Sequence, residues 1–446
     1  MVQKVMKFGG SCLKDWDTVE RMVSILQDSP KPLVIVLSAL HGSTDQLLDL
    51  AQAAVAGEID ISPLRRRHEE VFFAPAAALG PEPRARFEAE LDELKRILQA
   101  LALLGEIPPR VHDRILSFGE RLSVLFVTAL LQSRDLPAKA FVADEAGIFT
   151  DGRAGDAGIL ASSKQEVRRR FAGLDGIAVV TGFLGRDAEG CLTTLGRGGS
   201  DYTAAFIAAA LEAPLILWKD TAGLLSGDPR VVAKPREIRR CHYEDLLELA
   251  HYGLPAVHEK AIYPAMAAGC PIEIHAFHGG SEPTIISSET GDALAITSVE
   301  DVVIFDLVAR GARRPARLLR VLARILDLLA ERSIFPLLLS EASPRGETQL
   351  VVKGAQRDQL ASSLGALCAE VELSERVGLA VVSLIGSSMA GKVGFAARVF
   401  ECLGAAEINI VAIAQTASER NISVIVERGQ ARMAVRALHR RFIEDE

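Results

Sequence analysis

The densest chemistry in this 446-residue chain is one run, Thr193-Thr194-Leu195-Gly196-Arg197-Gly198-Gly199-Ser200-Asp201. It gathers glycines, a guanidinium, hydroxyls and a carboxylate. Glycines let backbone N–H groups approach an anion closely, and arginine offers a two-pronged fork to a carboxylate or phosphate. The run follows the apolar segment Val179-Val180-Thr181-Gly182-Phe183 and precedes a helical pattern over Tyr202–Leu211, with Ser200 or Asp201 as the expected N-cap. A second run, Lys7-Phe8-Gly9-Gly10-Ser11, sets a lysine at the end of a short apolar strand, before a turn and a helix. That arrangement can neutralise phosphate charge at a helix start. The third is Trp218-Lys219-Asp220-Thr221-Ala222-Gly223-Leu224-Leu225-Ser226-Gly227-Asp228-Pro229-Arg230. It also follows a strand, where open α/β sheets place ligands. Asp220 and Arg230 are suited to the ribose or phosphates of a nucleotide.

These runs need strands that end where they begin. Val2–Phe8, a helix from Lys14 to about Gln27, and the apolar strand Leu33–Leu37 give the strand–turn–helix–strand pattern of a parallel sheet buried on both faces. Residues 43–135 read as mostly helical, including Arg84–Leu104 and a helix restarting at Pro108-Pro109 that carries Ser117-Phe118-Gly119-Glu120. Strands return at Ala140–Ala143, Ile177–Thr181, Leu215–Trp218 and Ile272–Ala276, and this region closes near Thr290-Gly291. Beyond it a strand–helix–strand–strand unit recurs with a period near 80 residues. The expected fold is α/β, an open and mainly parallel sheet between helices, followed by two small α+β units.

Composition sets outer limits. Hydrophobic residues make up 49% and charged residues 24%, as in ordinary globular chains. The net charge of −8 lacks the basic excess of a general nucleic-acid binder. No apolar run reaches the roughly 18 residues that span a bilayer, so no membrane role is expected. The first residues do not form a signal peptide, and a cytoplasmic protein is expected. No two cysteines make a C-x-x-C pair, so no zinc site is expected. Gly386-Ser387-Ser388-Met389-Ala390-Gly391-Lys392-Val393 nearly spells a P-loop, but Val393 replaces the Mg²⁺-binding hydroxyl. It reads as the turn that opens a helix.

Together the three runs resemble the amino acid kinase family, most closely its aspartokinase branch, over essentially the whole chain. Lys7-Phe8-Gly9-Gly10-Ser11 resembles the family's opening K-F-G-G-T/S. Ser38-Ala39 with Thr44 resembles its V-S-A…T segment, and Ser117-Phe118-Gly119-Glu120 its S-x-G-E. The Thr193–Asp201 run is the family's most specific signature and is complete. The tail resembles paired ACT domains, clearest at Ser418-Glu419-Arg420-Asn421-Ile422-Ser423. The resemblance implies a kinase domain over 1–291, a first ACT domain over 302–375 and a second over 376–446, with 292–298 a candidate extra strand of the second.

It also implies transfer of the ATP γ-phosphoryl group to the β-carboxylate of L-aspartate, with Mg²⁺ carried by ATP. That is the first step of lysine, threonine and methionine synthesis. By the match, Lys7 stabilises the transferring group, and Asp201 orients Lys7 or the Mg²⁺-phosphate cluster. Gly9, Gly10, Ser11 and Ser38 line the phosphate path. Glu120 holds the substrate ammonium and Arg197 its α-carboxylate, with Thr44 and Ser200 adding hydrogen bonds. Asp220, Leu225, Asp228, Arg230 and Lys260 fall on the ATP side. Leu225 stands where the family has Tyr, and Lys219 where it has Thr. A dimer through the ACT domains is implied, with lysine or threonine as effector near Ile408, Asn409, Ile410, Glu419, Asn421 and Ile422. A sibling kinase for an N-acylated acid, or a catalytically dead amino-acid sensor, are the alternatives.

Overall fold

Short aliphatic runs buried on both faces form the strands of a parallel sheet, because both their surfaces must be covered. Lys4–Phe8 (β1), Leu33–Leu37 (β2), Ala138–Phe141 (β3), Ile177–Thr181 (β4), Leu215–Lys219 (β5), Arg240–His242 (β6), Ile272–Ala276 (β7) and Thr284–Ser287 (β8) make one sheet. Their order is β6-β8-β7-β5-β1-β2-β4-β3. Every pairing is parallel except β7 with β8. The computed structural model describes residues 2–76, 79–221, 223–254, 257–289, 291, 293–309, 315–332, 334–341, 347–365 and 371–445. They cluster into two units, the first comprising Met1–Leu224, Arg239–Tyr243 and Ala256–Glu289.

In the first unit the helices Trp16–Asp28, Ser43–Val55, Pro81–Leu104 and Pro109–Ser133 share one core with Met6 and Phe8 of β1 and with Leu33, Ile35 and Leu37 of β2. Asp15 caps the first of these, and its carboxylate accepts the Thr18 amide at 2.9 Å. Pro109–Ser133 is, among the described residues, the one helix long and apolar enough by length and composition to cross a bilayer. Of its apolar window 78% is buried inside the unit, as befits a core helix. The helix Gly199–Leu211 is alanine-rich and buried nearly all round, so it packs closely on β1 and β2.

One buried carboxylate ties this helical layer to the glycine-rich run. Asp113, wholly buried on Pro109–Ser133, accepts from the Thr194 amide (3.0 Å), the Thr194 hydroxyl (2.8 Å) and the Gly155 amide (3.0 Å).

The second unit comprises Leu225–Ile238, Glu244–Pro255 and Thr290–Glu446. Its strands are Ala295–Ala309 (β9), Leu338–Glu341 (β10), Glu347–Lys353 (β11), Val371–Ile385 (β12), Ala412–Gln415 (β13) and Asn421–Glu427 (β14), ordered β10-β11-β9-β12-β14-β13. Sequence suggested short strands at Val302–Val308 and Ala380–Ile385, in separate sandwiches. Instead β9 and β12 each run 15 residues and pair antiparallel along their length. The register shifts near Asp301, which has a positive φ of 71°. One half of β9 supplies Ile296 to a core with Val382 and Leu384. The other supplies Val303 and Phe305 to a core with Leu350 and Leu360.

Asp113→Ala would strip the two buried donors of Thr194, and the more exposed Gly155 amide, of their acceptor. Each unmet buried donor costs about 1–3 kcal/mol, so urea unfolding is expected to show a loss of about 2 kcal/mol or more. Asp113→Asn, which keeps an acceptor oxygen, is expected to lose less.

Candidate active site

Parallel register brings the functional strand ends to one edge of the first sheet. Phe8 lies beside Leu37 and Trp218, and Leu37 beside Thr181. Lys7 is opposite Leu217 on β5, and Lys219 lies two residues beyond Leu217, hence on the same face. Both lysines reach Asp201: Lys7 Nζ is 2.7 Å from Oδ1, and Lys219 Nζ is 2.8 Å from Oδ2. Asp201 sits in the first turn of Gly199–Leu211, where a negative charge complements the helix dipole. The helix starts earlier than the sequence suggested. Gly198, at φ 70°, is the N-cap rather than Ser200 or Asp201, because only that left-handed turn lets the chain enter the helix there. Burial by itself would raise the Asp201 pKa, but Lys219 and Lys7 overcome it and hold the carboxyl well below the usual range.

Glu120 is the second buried carboxyl. The Ala39 amide donates to Oε1 at 3.1 Å, while Oε2 is buried without a hydrogen-bond partner among the described residues. Burial pushes its pKa up to about 8, opposed by the bond from Ala39 and the charge of Lys7. The close approach depends on Gly119, since a Cβ there would lie 2.7 Å from that of Ala39.

Smaller groups frame this pair. The Ser38 amide donates to the Phe8 carbonyl (3.2 Å), joining the ends of β1 and β2. Gly9 precedes a short turn over Gly10–Leu13 that carries Ser11, and Thr44 lies half-buried in the first turn of Ser43–Val55. Ser200 is buried against Gly182, where an added Cβ would sit 2.6 Å from that of Ser200. Arg197 is exposed and has no ion-pair or hydrogen-bond partner among the described residues.

Lys260 is bound to the Asp156 carboxylate and to the Leu195 carbonyl (3.2 Å), and no bond joins it to Lys7, Asp201 or Lys219. It therefore braces the backbone of the Arg197 run. Asp228 and Arg230 belong to the second unit and form an exposed pair at 2.8 Å. Asp220 is exposed at the end of β5, and Leu225 is half-buried in the second unit. Within that unit the loop after Leu225 is anchored by Ser226, whose hydroxyl is 2.9 Å from Nε2 of the buried His439. His439 in turn lies 2.9 Å from Glu444 through Nδ1.

Of the suggested effector residues, Glu419 and Ile422 line a cavity of about 300 Å³ with Lys392, Phe395 and Gln415. Ile408, Asn409 and Ile410 are not among its lining residues. Asn421 is buried, and its amide donates to Glu248 at 2.9 Å, so it is already bound within the protein. Sequence reasoning missed Asp113 and Lys219 as site-building groups. The signal for Lys219 was present, since it ends a strand as Lys7 does.

A buried lysine–carboxylate cluster and an open guanidinium at the carboxyl ends of a parallel sheet define an anion-handling α/β enzyme. The sequence model of the amino acid kinase family matches residues 3–275, and that of an ACT domain matches 382–442. The chain belongs to the amino acid kinase family. Its relatives are aspartokinases. The chain is 30% identical to chloroplastic aspartokinase 3 of Arabidopsis thaliana, over 99% of this chain and 81% of the relative. It is 29% identical to the lysine-sensitive aspartokinase 3 of Escherichia coli K12, over 99% of both. The crystal structure of E. coli aspartokinase III in complex with aspartate and ADP (R-state) superimposes with a TM-score of 0.83, at 26% identity over 99% of each chain.

Asp201→Asn would leave the buried Lys7 ammonium and the part-buried Lys219 ammonium without their counterion, an expected loss of about 3–5 kcal/mol in urea unfolding at neutral pH. Folding lowers the Asp201 pKa, so its stabilisation is full above the unfolded value of about 4 and fades as pH falls through the folded value. The gap between wild type and variant should hold steady above that pH and shrink below it.

Proposed function

We propose that the chain is an aspartate kinase, transferring the γ-phosphoryl group of ATP to the β-carboxylate of L-aspartate to give 4-phospho-L-aspartate and ADP. The observation that carries this reading is Glu120, a buried carboxyl near Lys7 with one oxygen left unbonded. An α-ammonium is the partner such an oxygen lacks, and an N-acylated acid has none to offer.

The residues fit a magnesium nucleotide. Two ammoniums stand at strand ends beside a Gly-Gly turn, where a Cβ on Gly10 would lie 3.2 Å from the Ala39 carbonyl. When bound, Mg²⁺–ATP supplies the phosphoryl group and part of the charge that screens it. The protein's own task is positioning and electrostatics. The acceptor carboxylate is ionised at neutral pH, so no general base is needed. Lys7 meets the charge of the transferring group, and Asp201 holds its side chain in place. Arg197 takes the substrate α-carboxylate as a bidentate fork, and Thr44 and Ser200 add hydrogen bonds. Gly9, Gly10, Ser11 and Ser38 line the phosphate path. Asp220, Leu225, Asp228 and Arg230 are the nucleotide-side groups, while Lys260 acts indirectly by bracing the Arg197 run.

The second unit is the regulatory part of this proposal. An amino acid, lysine or threonine, occupies the cavity bordered by Glu419, Ile422 and Lys392, and the unit forms a homodimer in the cytoplasm. The lysine sensitivity of the E. coli relative supports this reading.

Incubation with ATP, Mg²⁺, L-aspartate and hydroxylamine should yield aspartyl hydroxamate. Turnover with another acid only, or with none, would overturn the assignment. Glu120 gives a sharper check. With its pKa near 8 it is protonated in the free protein at pH 7, and an incoming ammonium re-ionises it. Aspartate binding should therefore release a proton below that pH, so its calorimetric enthalpy at pH 7 will vary with buffer ionisation enthalpy. kcat/KM for aspartate should rise as pH approaches 8. Glu120→Gln should remove the buffer dependence and raise KM for aspartate about 10²-fold.

A further inference from the structure

We propose that Lys219 is a second catalytic lysine, its ammonium meeting the phosphate chain of the nucleotide beside Lys7. This rests on the phosphoryl-transfer reading above and goes beyond it.

The argument begins with charge. Lys7 and Lys219 share the single carboxylate of Asp201, one on each oxygen, which leaves one positive charge in excess. Burying an uncompensated charge is costly, and one lysine would have sufficed to neutralise Asp201. The nearby carboxyls do not remove the excess. Burial favours the neutral form of Glu120, and Asp220 is turned out to solvent. The site is thus built one cation richer than its own anions require, and an anionic ligand is what balances it.

Exposure and position then separate the two lysines. The Lys219 side chain is 19% exposed, against 9% for Lys7 and 8% for Asp201. Lys219 is therefore the more open end of the cluster and not a sealed counterion. It ends β5, adjacent to β1, at the carboxyl edge where an open parallel sheet receives phosphates. The next residue, Asp220, opens the run with nucleotide character. Lys260 is bound to Asp156 and Leu195 and makes no bond to Asp201, so Lys219 is the lysine that stands with Lys7 on that carboxylate.

The step balances without any proton transfer from Lys219. A carboxylate oxygen of the acceptor bonds to the γ-phosphorus as the bond from that phosphorus to the ADP oxygen breaks. Lys219 remains an ammonium throughout and donates hydrogen bonds to phosphate oxygens whose charge grows toward the leaving group.

The test compares full-length wild type with Lys219→Thr and Lys219→Arg. Calorimetry measures binding of Mg²⁺–ADP and of Mg²⁺–tripolyphosphate, a probe with phosphates and no nucleoside. The hydroxamate assay gives kcat and KM, and urea unfolding reports stability. Lys219→Thr should weaken both probes by about tenfold or more and lower kcat by about 10²-fold, with KM for aspartate changed less than about threefold. Lys219→Arg, which keeps the charge, should bind both probes within about threefold of wild type. Unchanged binding and turnover in Lys219→Thr would overturn the proposal and leave Lys219 a counterion of Asp201. Loss of ADP binding with tripolyphosphate unaffected would also overturn it, by placing Lys219 on the nucleoside. If wild type forms no hydroxamate from aspartate while Lys219→Thr loses both probes, the aspartate reading falls and the phosphate role of Lys219 stands.

Discussion

The Asp201 carboxylate, gripped from both sides by Lys7 and Lys219, is the interaction on which the first unit is organised. It fixes the start of Gly199–Leu211 against β1 and β5, and with it the Arg197-Gly198-Gly199 turn. Its burial is tolerable only because two ammoniums and a helix N-terminus surround it. The same cluster explains why the helix is so rich in alanine. A helix must pack almost flush on β1 and β2 to bring Asp201 to the lysines, and larger side chains would hold it off.

The helix Pro109–Ser133 works from the other side. Seven residues, about two turns, separate Asp113 from Glu120 along it, so both project near one face. Asp113 grips the Thr194 backbone ahead of the Arg197 turn, and Glu120 stands under the turn after β2. One rigid element thereby sets the spacing between the Glu120 carboxyl and the backbone just ahead of Arg197. A helix holds such a spacing with less loss of precision than two loops would.

In the second unit, two long strands serve two cores. Because β9 and β12 cross from one core to the other, the halves cannot fold as unrelated sandwiches and share one sheet. The same unit contains the loop after Leu225, held to its C-terminal helices through Ser226, His439 and the bond from Arg436 Nε to the Val231 carbonyl at 2.8 Å. Residues from the middle of the chain and residues at its end are thus one packed body, although some 200 positions apart in sequence.

Much of this was legible in the residues. Leu33–Leu37, Ile177–Thr181 and Ile272–Ala276 appear as strands at the positions their apolar runs indicate. Lys7 and the Thr193–Asp201 run could be singled out because glycines with charged residues at strand ends have few other uses, whereas Glu120, inside a helix, was marked only by the family resemblance. Local sequence determines such features, since strand burial, turn chemistry and helix capping act over a few residues. Only tertiary structure decided the rest. Lys219 became a partner of Asp201 because β5 lies beside β1, an adjacency joining residues some 210 positions apart. Lys260 went to Asp156, Asn421 to Glu248, and Asp113 to Thr194 for the same reason. Which charge meets which is set by strand order and helix packing, and those emerge only when the whole core closes.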